Sequence, residues 1–188
     1  GLGWDIAAQK KSFLGGLFGE QPAEYDLDVV AFLCDANDTV RDVGRDASGN
    51  PTLKNSDVIF FNNLKHRSGD IWLTGDNRTG AGDGDDEQII VKLNSLSNDY
   101  YKIVFIVQIY EGAKNNQHFG QVQNAFIRAV DASGKEMVRF NLSGKDQYDQ
   151  QRSLLFAELV RESNGWKFNA LGSSSASDNF VEWLKKYV

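Results

Sequence analysis

The chain has 188 residues, 41% hydrophobic, 24% charged and 12% aromatic, which fits a single globular domain able to bury a real core. With 20 Lys and Arg against 26 Asp and Glu the net charge is −6, which excludes a sequence-independent nucleic-acid binder, since that needs a basic face. A lone cysteine, Cys34, excludes an intrachain disulfide and a thiolate metal site. No stretch approaches the roughly 18 apolar residues of a membrane span. The opening Gly-Leu-Gly-Trp-Asp carries no secretory pattern, so a reducing, cytoplasmic compartment is expected.

In chain order, apolar, β-branched and aromatic residues run between turn residues at 27–34, 58–61, 71–73, 88–93, 103–110, 122–130, 137–140, 154–160 and 166–171. Turn chemistry separates them: Asp-Ala-Asn-Asp at 35–38, Ser-Gly at 68–69, Asp-Ala-Ser-Gly at 131–134 and Asn-Gly at 164–165. About nine short strands with so few prolines predict an all-β fold, an antiparallel β-sandwich, over residues 1–188. Cys34 ends an apolar run and reads as a small core residue. Trp4, Trp72, Trp166 and Trp183 are expected in or over the core. In the closing segment 177–188, Phe180, Val181, Leu184 and Val188 share one helical face, with Ser177 or Asp178 placed to cap. The spacing predicts an amphipathic helix over 178–187.

The acidity is local. Residues 76–87 hold five carboxylates and one Arg, net −4, and residues 24–28 hold Glu24, Asp26 and Asp28, net −3, so the rest of the chain nets +1. The first cluster reads Gly75-Asp76-Asn77-Arg78-Thr79-Gly80-Ala81-Gly82-Asp83-Gly84-Asp85-Asp86-Glu87 and joins two predicted strands. Its glycines free the backbone to turn carbonyls inward, and its carboxylates, Asn77 and Thr79 add side-chain oxygen. Oxygen-only ligation on a flexible loop suits Ca²⁺ better than Mg²⁺. A solvated hairpin loop has no reason to concentrate mutually repelling charges. The loop is not an EF-hand: Asp76 and Glu87 have the right separation, but Arg78, Gly80 and Ala81 fall where ligands and the turn glycine belong. Nor is it a phosphate cradle, because its charge repels an anion.

Asp26-Leu27-Asp28 opens a strand, and period-2 geometry puts the two carboxylates on one face, about 6.6 Å apart along the chain. That face continues into apolar Val30, Phe32 and Cys34. Carboxylates leading into a buried face are costly unless they meet cations or donors. A metal shared with the glycine loop is one answer; solvation at the strand end is the other. His66 and His118 form no metal-spaced pair and read as surface or capping residues, with no nucleophile–base–acid set to join. Arg41, Arg45, Lys54, Lys65 and Arg67 are too thin a basic stretch for nucleic acid.

Taken together, the chain resembles the TerD family of tellurium-resistance and general stress proteins. The resemblance runs in order through Gly1–Asp5, Tyr25-Asp-Leu-Asp28, Phe60-Phe-Asn-Asn63, Thr74–Glu87, Phe119-Gly-Gln-Val122 with Asn124-Ala-Phe-Ile-Arg128, and Gly165-Trp-Lys-Phe168. It implies a β-sandwich binding Ca²⁺, usually two adjacent ions, in the bacterial cytoplasm. It also implies partners among other TerD-family or tellurium-resistance proteins, and a membrane-bound partner through which it would associate peripherally. Carried over by position, the metal site would comprise Asp26, Asp28, Asp76, Asn77, Thr79, Gly80, Gly82, Gly84, Asp85, Asp86 and Glu87. Ala81 departs from the acidic residue many members carry. Residues 12–22 form a Gly/Phe-rich insert found in some branches, such as TerZ-like members; its Phe13–Phe18 run could be a contact loop or could fold over the sandwich.

The resulting expectation is a non-enzymatic, calcium-binding stress-response module acting as a Ca²⁺-dependent interaction surface. A metal-dependent hydrolase or phosphoesterase using the same carboxylates is the alternative, lacking an obvious proton donor beside them. A purely structural calcium site is the third.

Overall fold

The computed structural model describes residues 1–5, 25–74, 84–143 and 147–188. The strands are β1 Leu2–Asp5, β2 Leu27–Cys34, β3 Val58–Ile59, β4 Ile71–Leu73, β5 Ile89–Val91, β6 Lys102–Ile109, β7 Gln123–Val130, β8 Glu136–Asn141, β9 Ser153–Glu162 and β10 Gly165–Ser175. A five-stranded sheet has the order β10-β9-β6-β2-β3, a three-stranded sheet β1-β7-β8, and a two-stranded sheet β4-β5. Every pairing is antiparallel. The fold is the expected all-β antiparallel sandwich.

β2 is buried at every position, which is why its sequence runs apolar without alternation. Leu27, Val29, Ala31 and Leu33 face the sandwich core, where they join Leu2 and Trp4 of β1, Ile127 of β7, and Ile71 and Leu73 of β4. Val30, Phe32 and Cys34 face the other way and join Val58, Phe60, Phe180, Trp183 and Leu184. The central sheet is therefore covered on both sides. Cys34 is fully buried, and burial pushes its thiol up to about 12.

Local chemistry fixes several turns. The tetrapeptide Asp-Ala-Ser-Gly occurs at 46–49 and at 131–134 and folds the same way twice. In each, the glycine N–H reaches the Asp carbonyl at 3.0 Å and the Ser N–H reaches Asp Oδ1 at 2.8 Å. Gly49 and Gly134 take φ of 84° and 86°, where a Cβ would be strained. At the β9–β10 hairpin Glu162 pairs with Gly165, so Gly165 opens the second strand rather than sitting in the turn.

The expected strands at 58–61 and 88–93 shorten to β3 and β5, and two further elements depart from the sequence expectation. β1 was not predicted, because two glycines in five residues hide its strand pattern; its pairing with β7 is a tertiary event. The closing helix is far shorter than 178–187. The α-helix, α1, spans only Val181–Leu184. Trp183, Leu184 and Phe180 are buried, while Val188, expected on the same face, is exposed. Asn179 Oδ1 accepts from the Val181 N–H, and Asp178 instead accepts from the Ala113 N–H. The Trp183 indole donates to Ser153 Oγ, and the Val40 N–H takes the Tyr187 carbonyl. These outside bonds dock the segment onto the sandwich.

Candidate functional site

The end of the acidic glycine loop, residues 84–87, is threaded between three strands. Leu2 and Glu87 exchange backbone hydrogen bonds, Leu2 N–H to Glu87 O at 2.8 Å and Glu87 N–H to Leu2 O at 3.0 Å. Glu87 is fully buried. β3 pairs with β2 only at Ala31 and Phe32, so the ladder stops short of Val29. Glu87 Oε2 accepts the Val29 N–H there at 2.9 Å. A side-chain carboxylate thus continues the sheet edge where backbone runs out.

Asp86 Oδ2 accepts the Trp4 N–H at 2.9 Å. Burial raises its carboxyl above the ordinary range; the Trp4 bond opposes this, and the neighbouring Asp5 and Asp85 charges reinforce it. Asp85, with its side chain 7% exposed, receives Arg128 Nε at 2.8 Å on Oδ1 and Gln88 Nε2 at 3.3 Å on Oδ2. The close passage of 84–85 over β1 depends on glycine. A Cβ at Gly1 would collide with the Asp85 carboxylate, and one at Gly3 with the Gly84 carbonyl and the Phe126 ring. The Gly-Leu-Gly-Trp segment is a bare backbone shelf on which the acidic segment rests.

β2 supplies the second cluster. Asp28 is 2% exposed and accepts from Gln108 Nε2, its cross-strand neighbour on β6, at 3.1 Å. Gln108 Oε1 in turn accepts the Phe180 N–H at 2.8 Å. Asp28 thus lies on the face that continues into Val30, Phe32 and Cys34, as period-2 geometry requires. Asp26 opens the strand, half-buried, its carbonyl taken by the Tyr110 N–H at 2.7 Å.

Glu87 on the Val29 N–H brings the loop end to the strand that carries Asp26 and Asp28. Asp76, Asn77, Thr79, Gly80 and Gly82 lie outside the described residues, as does the 12–22 insert. Among the described residues no group of three or more His, Cys, Asp or Glu is arranged to hold a metal. The described donor set fits calcium in kind: it is oxygen-only, without thiolate or imidazole.

Elsewhere, His66 and His118 are buried rather than on the surface, and His118 is the capping residue, at the N-cap of the 3₁₀ turn Phe119–Gln121. His66 Nε2 lies 3.1 Å from Asp57 Oδ1, and His66 Nδ1 lies 2.8 Å from Ser68 Oγ. The same Asp57 oxygen receives Arg67 at 2.8 Å and the Tyr100 hydroxyl at 2.9 Å. Spacing gave no hint of this, because the partners are scattered from 42 to 100. The Ser-His-Asp order resembles a catalytic triad, but Asp57 is already neutralised by Arg67, and Ser68 Oγ also accepts the Asp70 N–H, as in a turn. Burial alone would raise Asp57; the His66 and Tyr100 bonds and the Arg67 charge outweigh it and hold the carboxyl below its ordinary value. His118 lies against Asp149 at 3.2 Å, and its N–H meets Gln121 Oε1 across the 3₁₀ turn Phe119–Gln121. Trp72 and Trp166 are half-buried and each meets a cation, Lys92 and Arg161 respectively. No helix among the described residues is long and apolar enough to cross a membrane.

The family model described as the TerD domain matches residues 1–187. The tellurium resistance protein TerX of Serratia marcescens is 64% identical over 188 residues, covering 100% of this chain and 88% of its own. The stress response protein SCP2 of Bacillus subtilis (strain 168) is 37% identical over 189 residues, with 100% and 87% covered. A crystal structure of a homologue of telluride resistance protein (TerD) from Streptomyces coelicolor A3(2) superposes with a TM-score of 0.67. It covers 96% of this chain and 90% of its own at 21% identity, a likeness of fold alone. With a family match across nearly the whole chain and relatives of this identity and coverage, the chain belongs to the TerD domain family of tellurium-resistance and stress-response proteins.

Proposed function

We propose that this chain is a calcium-binding stress-response module that works by association rather than by turnover. The observation that carries the reading is the burial of two carboxylates at neighbouring points of β2: Asp28 is 2% exposed, and the fully buried Glu87 accepts the N–H of the next residue, Val29. A buried carboxylate is tolerated only when cations or strong donors repay its lost hydration. Asp26, Asp28, Asp85, Asp86 and Glu87, with Asp76, Asn77, Thr79 and the carbonyls of Gly80, Gly82 and Gly84, would hold the metal. Ca²⁺ would supply positive charge and no redox chemistry. Seven carboxylates, Asp83 included, with Arg78 sum to −6. One divalent ion leaves −4 and two leave −2, which favours two ions per chain.

By neutralising an acidic rim, calcium would promote docking to other TerD-family or tellurium-resistance proteins, or to a membrane-bound partner on the cytoplasmic side. Isothermal titration of chelator-treated protein with Ca²⁺ and Mg²⁺ tests the metal reading, two calcium ions per chain being expected and an end-point at one contradicting the count. Capture from stressed bacterial lysate, with calcium or with chelator, tests association. Identical partner sets would leave a structural site only. Metal-dependent turnover of a phosphoester panel, abolished by Asp28→Ala, would mark a hydrolase instead.

A further inference from the structure

The outer face of the β1-β7-β8 sheet carries a cation aimed at the acidic segment. Arg128 on β7 stands directly across from Arg139 on β8, a like-charge pairing that is unfavourable unless acids intervene. Two acids do. Arg128 Nε donates to Asp85 Oδ1 at 2.8 Å, and Arg128 NH1 donates to Glu136 Oε2 at 3.2 Å. The guanidinium lies 5.6 Å from the Phe126 ring centroid, which limits its swing. The fork is thus divided between β8 and residue 85, while the glycine shelf of β1 lets residues 84 and 85 pass close beneath it.

We propose that Arg128 is the positioning residue of the candidate calcium centre: it pins Asp85 to the sheet, and so sets where Asp86 and Glu87 stand. This rests on the calcium reading above. Asp85 then anchors the segment as well as facing the metal: Arg128 donates to one of its oxygens and Gln88 to the other, and each carboxylate oxygen keeps a further lone pair. Pinning also explains the order of the segment, in which 85, 86 and 87 turn successively to β7, β1 and β2. A partner that orients metal-binding groups from outside the coordination shell typically controls affinity by 10- to 100-fold.

The sign of one substitution separates positioning from simple charge. Arg128→Gln removes a positive charge near the metal, so electrostatics alone would tighten calcium binding. Positioning requires the opposite. Calorimetric titration of the full chelator-treated chain is expected to give calcium binding about tenfold weaker in Arg128→Gln. Arg128→Lys keeps the charge but loses the fork, and should fall between wild type and Arg128→Gln. Far-UV circular dichroism in chelator should match wild type. Equal or tighter binding by Arg128→Gln overturns the proposal while leaving the calcium reading intact. A flat wild-type titration overturns both. If Arg128→Gln does not fold, Arg128→Lys, which keeps the charge and loses the fork, replaces it: weaker calcium binding supports the proposal and unchanged binding overturns it.

Discussion

Asp57 and Glu87 are both buried carboxylates beside β2, and their surroundings differ in kind. Asp57 accepts from Arg67, His66, Tyr100 and the Asp42 N–H, so its charge is answered within the chain by a cation and three further donors. Glu87 accepts the Val29 N–H and Asp28 accepts the Gln108 amide, both neutral donors. The first is a finished structural joint, tying the 42 loop, the 66–70 turn and Tyr100 to the start of β3. The second brings several acids to neighbouring points of β1 and β2, with Arg128 on Asp85 at its edge. A buried ion pair that is locally complete gains nothing from an added ion; under the calcium proposal the acid-rich junction would.

The largest effect of a single substitution on the metal-free protein should come from breaking the finished joint. Asp57→Ala leaves His66 and Tyr100 buried without their acceptor and Arg67 without its main partner. The expected loss is about 3 kcal/mol in urea unfolding, the low end for a broken buried pair because Arg67 reaches solvent. Calcium comes next. At a hundredfold excess over Kd each site adds about 2.7 kcal/mol, or roughly 5–10 °C in Tm at this chain length, with Mg²⁺ giving much less. Asp28→Asn should abolish most of that shift, whereas the destabilised Asp57→Ala protein should keep it. Loss of the calcium shift in both variants would erase the distinction between the two regions.

Gly3→Ala sharpens the contrast by overpacking the shelf beneath Gly84, with an expected cost of about 1–2 kcal/mol and a reduced calcium shift. The smallest effect is on the acid side. The folded Asp57 carboxyl titrates below its unfolded value of about 3.9. Its contribution is therefore fully present above that value and is lost as pH falls through the folded one. Melting temperatures measured from pH 5 downward should fall more steeply for wild type than for Asp57→Asn. Parallel curves would remove the charge on Asp57 from the account.

The acidic junction was legible in the sequence as composition, and the Asp57 joint was not. Five carboxylates within 76–87 stand out from a chain otherwise near neutral, and Asp-Leu-Asp fixes its own shared face by strand period. Asp42, Asp57, His66, Arg67 and Tyr100 have no common period, so only the packing of four separate segments onto β2 and its neighbours brings them together. Arg128 was visible as part of a family motif, yet its partner Asp85 is 43 residues away.

What the sequence determined by itself was whatever a few neighbouring residues can decide. The apolar runs that became β2 and β4 match their elements end to end, because burial on both faces or between turn residues leaves an unbroken local signal. The two Asp-Ala-Ser-Gly turns fold alike because their bonds close within five residues. Only the tertiary structure made Leu2–Asp5 a strand, since its glycines are explained by the segment crossing above them and not by the strand itself. It likewise shortened the closing helix to Val181–Leu184: a segment too short to sustain its own helical ladder is docked instead through bonds to Gln108, Ser153 and Val40.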